Sequence, residues 1–410
     1  MKKLLLVLLI LSLFINHLNA NEKDLQIIQK DKKEYRLLDK ESIQTRQQSQ
    51  KYDWISPIDL SGNIGRNHSF SDENSRNLNN KNTKSASIGF TQSIFESGGI
   101  GFKMDYADNR FKYEMLSWEN QNSQLIYTIY NTLLDIKKLK LEINQNDYRI
   151  VNKDIELIIK KIQYEAGKTD IIELNNAIMS KNLILKEEIA LKNSLKEKEQ
   201  ELAKYTDLKY EDIEILDFQE TNKEIFLDKN YSILEADAKV EMLNSEYKIK
   251  KSQYLPKLSL SAKASYSNQD EKFNSMINDT NKDDATSSGS LILSMPLYDY
   301  TKSSKIQESK IEVLKQKALV NDLKNETAFE YEQIFTKIDT YLKQNETINK
   351  NIKLYEELIG ANKISSEAGM TSKYDLEILE NTKTINEFDI LINKINILQQ
   401  YAKLYFKIKN

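Results

Sequence analysis

Glu165-Ala166-Gly167-Lys168-Thr169 recurs as Glu367-Ala368-Gly369-Met370-Thr371, with Gly167 and Gly369 standing 202 residues apart. Each copy interrupts a long run that carries apolar residues at helical spacing, so each reads as the reversal between two antiparallel helices. Neither Gly nor Pro occurs from Phe102 to Ala166 or from Thr301 to Ile359. At ~1.5 Å per residue an unbroken helix over the first run would reach about 95 Å, roughly three times the hydrocarbon core of a bilayer. A compact domain has no room for such an element.

Upstream of each long run the hydrophobic period changes. After Pro57, Ile58, Leu60, Gly62 and Ile64 alternate with Asp59, Ser61 and Asn63, the mark of a strand with two unlike faces; Ala86, Ile88, Phe90 and Ile94 alternate again before Ser97-Gly98-Gly99. Residues 67–84 between them read as a solvated loop. The unit of strand, loop, strand and helical hairpin then returns: Pro256, an alternating run from Leu258 to Tyr266, a polar stretch at 268–287, and a second run through Leu291, Leu293 and Met295 to Pro296-Leu297-Tyr298. All three prolines fall at strand ends, where a missing N–H costs least. Offsets of 203 from Ile94 to Leu297 and 202 from Gly167 to Gly369 identify a duplication.

The expected organisation is residues 1–20 as a signal peptide and 21–53 as an N-terminal periplasmic segment with one short helix. Repeat 1 is 54–205, with strands at about 57–66 and 85–96 and a hairpin over about 102–205. A connector follows at 206–230, then repeat 2 at 231–410, with a lead-in helix, strands at about 257–267 and 288–298, and a hairpin over about 301–407. Along the hairpins Val151, Ile155, Ile158 and Ile162, and later Tyr331, Phe335, Ile338 and Leu342, step by 4 and 3, a seam suited to packing on another helix.

Composition narrows the function. The 410 residues carry a net charge of −3 with acid and base interspersed, which leaves no basic stripe for a nucleic-acid backbone. There is no Cys for a disulfide or a lipid anchor, and the only histidines are His17 and His68, so no metal, cofactor or catalytic site is expected. Lys2 and Lys3, the apolar run Leu4–Ile15 and the closing Ala20 fit a cleaved secretory leader. No later run of apolar residues is long enough for a spanning helix, so any crossing of a bilayer falls to β-strands. Four strands cannot close a barrel, and open edges are not tolerated in lipid. Several copies must therefore pool their strands around one pore.

Gln92-Ser93-Ile94-Phe95-Glu96-Ser97-Gly98-Gly99, Tyr254-Leu255-Pro256-Lys257-Leu258, Met295-Pro296-Leu297-Tyr298 and the two Glu-Ala-Gly turns, in this order and spacing, resemble the TolC family of outer-membrane efflux ducts over about residues 52–407. The resemblance implies a mostly α fold with a small β part: a homotrimer whose twelve pooled strands form an outer-membrane β-barrel, continued by a periplasmic α-helical barrel. It implies a passive exit duct of a tripartite efflux or type I secretion system, with a periplasmic adaptor (membrane fusion) protein, an inner-membrane pump and outer-membrane lipid as partners. Carried onto this chain, Ala166, Gly167, Lys168, Thr169, Ala368, Gly369, Met370 and Thr371 become the periplasmic tip that docks the adaptor.

Candidate lumenal gating charges are Glu173, Lys373, Asp375, Glu377 and Glu380. Asp375 matches the family pattern without a gap, and Glu377, Glu380 and Lys373 match if two residues are inserted after Gly369. The segment before the first strand is shorter than is usual in the family, and Ser93 stands where Pro is common. A plainer reading stands beside each assignment: the glycines serve only the helix ends, and the acids only a solvated helix face. The alternative function is a soluble periplasmic or secreted coiled-coil adaptor or structural protein.

Overall fold

The computed structural model describes residues 25–70, 78–214, 216, 218, 220–270, 282–367 and 372–409. The expected leader, residues 1–20, lies outside them. In chain order the helices are α1 (Lys30–Tyr52), α2 (Gly99–Glu165), α3 (Ile171–Ala203), α4 (Lys223–Asp228), α5 (Tyr231–Ser252), α6 (Lys302–Glu367) and α7 (Lys373–Phe406). The strands are β1 (Asp59–Phe70), β2 (Leu78–Phe95), β3 (Lys257–Asp270) and β4 (Lys282–Ser294). The fold is mostly helical with a small sheet, and strand, strand and helical hairpin appear twice. Among the described residues no helix is long and apolar enough to cross a membrane.

The strands form one antiparallel sheet in the order β1-β2-β3-β4. Period-two alternation sorts its side chains. Leu60 lies opposite Ile88, Ile88 opposite Ala264, and Leu260 opposite Leu291, so one face is apolar. The other face carries paired hydroxyls: Ser61 with Ser87 at 2.8 Å, Thr91 with Ser261 at 3.0 Å and Ser265 with Thr286 at 2.7 Å. Among the described residues neither face is covered, and Leu60 and Leu293 remain 79% and 74% exposed.

The strands run further than alternation indicated. β1 continues to Phe70, β2 begins at Leu78, β3 reaches Asp270 and β4 begins at Lys282, inside the stretches read as loops. The sequence of these extensions is mostly polar, so alternation vanishes, while the backbone ladder goes on because it needs no apolar side chain. At its other end β4 stops at Ser294 rather than near 298, since its only partner, β3, begins at Lys257 opposite Ser294. The N-terminal segment is likewise more than a short helix: α1 has 23 residues. Arg36 anchors it, donating from Nε to Asn122 Oδ1 (2.6 Å) and from Nη2 to the Trp118 carbonyl (2.9 Å). The connector 206–230 contains the short α4.

By compactness the chain divides into two units that cut across the repeats: residues 1–40, 116–235 and 321–410, and residues 41–115 and 236–320. The sheet belongs wholly to the second. In the first, α2 packs on both α7 and α3, and α7 also meets α6. Gln145 of α2 donates to the Ile385 carbonyl and Asp389 of α7, and Asn152 meets Asn381 and Thr382. Arg149 pairs with Glu187 of α3, and Asn393 of α7 bonds Asn345 of α6. The helices α3 and α6 keep uncovered apolar side chains, among them Ile172, Leu183 and Ile189 on α3 and Leu342, Leu354 and Ile364 on α6.

The connector and C-terminus close over an apolar cluster of Phe226, Ile334, Ile338, Leu404 and Ile408. Beside it Glu330 receives Lys403 at 2.8 Å and Lys407 at 2.6 Å. Burial alone would raise the Glu330 pKa, but the hydrogen bonds and charges of Lys403 and Lys407 outweigh it and hold the carboxyl below its ordinary value. A depressed carboxylate stabilises fully above its unfolded pKa of about 4.3, and that contribution is lost as pH falls through the lower native value. Glu330→Gln is therefore expected to lower the thermal midpoint at pH 7, with the gap to the unsubstituted protein narrowing below about pH 4. A gap equal at pH 7 and pH 3 in calorimetry would contradict this assignment.

Candidate functional site

The turn after α2 is built entirely by local chemistry. Gly167 sits in the left-handed region at φ 68°, its N–H bonding the Tyr164 carbonyl at 2.9 Å, while the Lys168 N–H reaches back to the Gln163 carbonyl at 2.8 Å. These are the two bonds of a Schellman closure, with glycine at the position where a Cβ is strained. Two residues further, Asp170 caps α3 by accepting from the Glu173 N–H at 2.9 Å. In the second hairpin Ala368, Gly369, Met370 and Thr371 lie outside the described residues. Ser372 caps α7, its hydroxyl accepting from the Tyr374 N–H at 3.1 Å. Asp170 and Ser372 are 202 apart, the same offset as the two glycines.

The same offset governs how each hairpin is clasped. Lys181 of α3 pairs with Asp154 of α2 at 2.5 Å, and Lys383 of α7 pairs with Glu356 of α6 at 2.9 Å; both lysines and both acids are 202 apart. Closer to the turns Lys160 meets Glu173 at 3.0 Å and Lys363 meets Glu380 at 3.5 Å. The clasping pairs Asp154–Lys181 and Glu356–Lys383 escape ordinary motif reading, because a charge on a helix face is commonplace; comparing charges at the repeat offset is the signal that finds them.

Helix geometry separates the candidate charges. Lys373, Glu377 and Glu380 stand at i, i+4 and i+7, one stripe of α7, all exposed. Asp375 is on the opposite side in the first turn, where an acid complements the helix N-terminus. It is the repeat counterpart of Glu173, which occupies the first turn of α3. The fold thus groups Lys373 with Glu377 and Glu380 and leaves Asp375 apart. Among the described residues no cluster of His, Asp or Glu is arranged to hold a metal ion.

Residues 224–403, most of repeat 2, match the family model described as outer membrane efflux protein. No curated protein matches the chain. Among solved structures, the CmeC outer membrane channel of Campylobacter jejuni superposes with a TM-score of 0.70 at 13% identity, covering 93% of this chain and 86% of that one. The outer membrane protein VceC of Vibrio cholerae gives 0.70 at 12%, covering 93% and 94%. The open-state MtrE outer membrane channel of Neisseria gonorrhoeae gives 0.67 at 11%, covering 94% and 88%. The fold extends the likeness across both repeats, whereas the sequence pattern carries it in the second.

Among the described residues nothing beyond its chain neighbours lies within 4 Å of where a Cβ on Gly167 would stand, so substitution there is limited by backbone conformation. Gly167→Ala is expected to destabilise the turn by about 1–2 kcal/mol, and Gly167→Asn by less. Hydrogen exchange of the amides near the turn measures this, and equal protection in Gly167→Ala and the unsubstituted protein would refute it.

Proposed function

We propose, from the outer membrane efflux pattern in repeat 2 and a fold shared with solved outer-membrane channels, that this TolC-like chain is one protomer of an outer-membrane exit duct. The observation that carries the proposal is the sheet: four strands of spanning length, one apolar face, one hydroxyl-lined face, and unpaired edges on β1 and β4. An apolar outer face suits lipid, a hydroxyl face suits water, and the edges demand further strands from identical copies. Three copies would supply twelve. The uncovered apolar residues of α3 and α6 would be buried in the same association, α3 of one copy against α6 of the next, a heterologous contact that closes into a ring.

The duct is passive. It offers a water-filled path from periplasm to exterior, and an inner-membrane pump supplies the energy. The hairpin turns at Ala166–Thr169 and Ala368–Thr371 are the proposed tip, where a periplasmic adaptor docks. The stripe of Lys373, Glu377 and Glu380 is the proposed lumenal charge set, repeated by symmetry where the conduit narrows, and its net negative sign would favour cations.

The test is reconstitution. Protein extracted from outer membranes should migrate as a heat-sensitive oligomer and give stepwise conductance in a planar bilayer. A folded monomer that stays soluble without detergent would overturn the reading. Within it, Glu377→Lys combined with Glu380→Lys is expected to reduce cation over anion permeability by several-fold, and Asp375→Lys to change it less. Reversal potentials in a salt gradient measure the ratio, and a larger effect from Asp375 would move the charge set to the other side of α7.

A further inference from the structure

The sheet contains, inside one chain, a copy of the junction that it needs between chains. Repeat 1 contributes β1 and β2, repeat 2 contributes β3 and β4, and the β2–β3 ladder joins repeat to repeat. The strand-to-helix junctions fix one offset. α2 begins at Gly99, whose N–H bonds the Glu96 carbonyl, and α6 begins at Lys302, whose N–H bonds the Asp299 carbonyl; both residues differ by 203. β2 therefore maps onto β4 with that offset. Since Leu60 pairs with Ile88 and Leu260 with Leu291, β1 maps onto β3 with an offset of 200.

We infer that β4 of one copy of this chain pairs with β1 of the next in the register of the β2–β3 ladder, setting Leu291 opposite Ile64, Leu293 opposite Gly62 and Ser294 opposite Ser61. The inference rests on the exit-duct reading and adds the pairing that closes the pore. Three observations agree with it. On the apolar face Leu291, Leu293 and Met295 meet Ile64, Gly62 and Leu60, so that face stays continuous through the junction, while on the hydroxyl face Ile292 meets Asn63. Pro296 takes the place of Ser93, beside the irregularity between Ser93 and Phe95 in the parent ladder, where a missing N–H is tolerated. Tyr298 takes the place of Phe95 and meets Ile58, the counterpart of Leu258; these two side chains are 85% and 69% exposed in the single chain and would cover one another. The stretch 295–298, which β3 leaves without a ladder, gains one.

The parent position of Ser294–Ser61 is Thr91–Ser261, whose hydroxyls stand 3.0 Å apart, so paired cysteines there are within bonding reach. Within one chain β1 and β4 are separated by three strand spacings, about 14 Å, so a disulfide between them can only be intermolecular. The chain has no native Cys to interfere. Full-length Ser61→Cys/Ser294→Cys, expressed to the outer membrane and oxidised with copper phenanthroline, is expected to run as covalent oligomers on a non-reducing gel. Asn63→Cys/Ser294→Cys and Asp59→Cys/Ser294→Cys, each slipped by two residues, should cross-link at least several-fold less, and Thr91→Cys/Ser261→Cys serves as the intrachain positive control. Preferential cross-linking of a slipped pair would overturn the register while leaving the duct standing. Absence of cross-links in every β1–β4 pair, with the control formed, would overturn the register as well; if the protein is then also monomeric, the duct reading falls with it.

Discussion

An unpaired backbone amide or carbonyl cannot be left in hydrocarbon, and the proposed duct depends on that requirement more than on any side chain. Among the described residues the sheet satisfies the inner strands and leaves a row of donors and acceptors along β1 and another along β4. In water such edges invite aggregation and are usually blunted by charge, proline or a covering helix. Here β4 keeps Leu291 and Leu293 in the open, and β1 keeps Leu60 and Ile64. The proposed completion by identical copies would supply the missing bonds and cover these side chains together.

The helices repeat the lesson in another form. Between α2 and α7 the contacts include amide and carboxylate pairs, Gln145 with Asp389, Asn152 with Asn381, and Gln399 with Asp135. Polar pairs of this kind fix the register of two helices, because any slide leaves a half-buried amide unsatisfied. The clasping pairs Asp154–Lys181 and Glu356–Lys383 are partly exposed, so each contributes little to stability; their value is in setting the height at which the two arms of a hairpin meet. Duplication copied this arrangement along with the position of the cap. The result is two hairpins with matching registers, which is what a quasi-symmetric ring of helices requires.

Much of this was legible in the residues. The reversal at Gly167 follows from a glycine closing a run that lacks both Gly and Pro, and Asp170 is a cap by type and position. The two faces of the sheet follow from the alternation at Ile58–Ile64 and Leu258–Tyr266. Alternation was silent where the sequence is mostly polar, so the strand lengths past Arg66 and before Lys84 could not be read. That Asp375 lies opposite Glu377 follows from their spacing of two once both are known to stand in α7.

The linear order of residues determined the helix and strand periods, the turn glycines, the caps and the two-fold repeat, because each is set by neighbours within a few positions or by direct comparison at a constant offset. Only the tertiary structure decided which repeat elements pair in space. β2 beside β3, α2 against α7, and Glu330 between Lys403 and Lys407 join residues far apart along the chain. Such contacts depend on simultaneous satisfaction of packing and hydrogen bonds across the fold, and no local pattern encodes them.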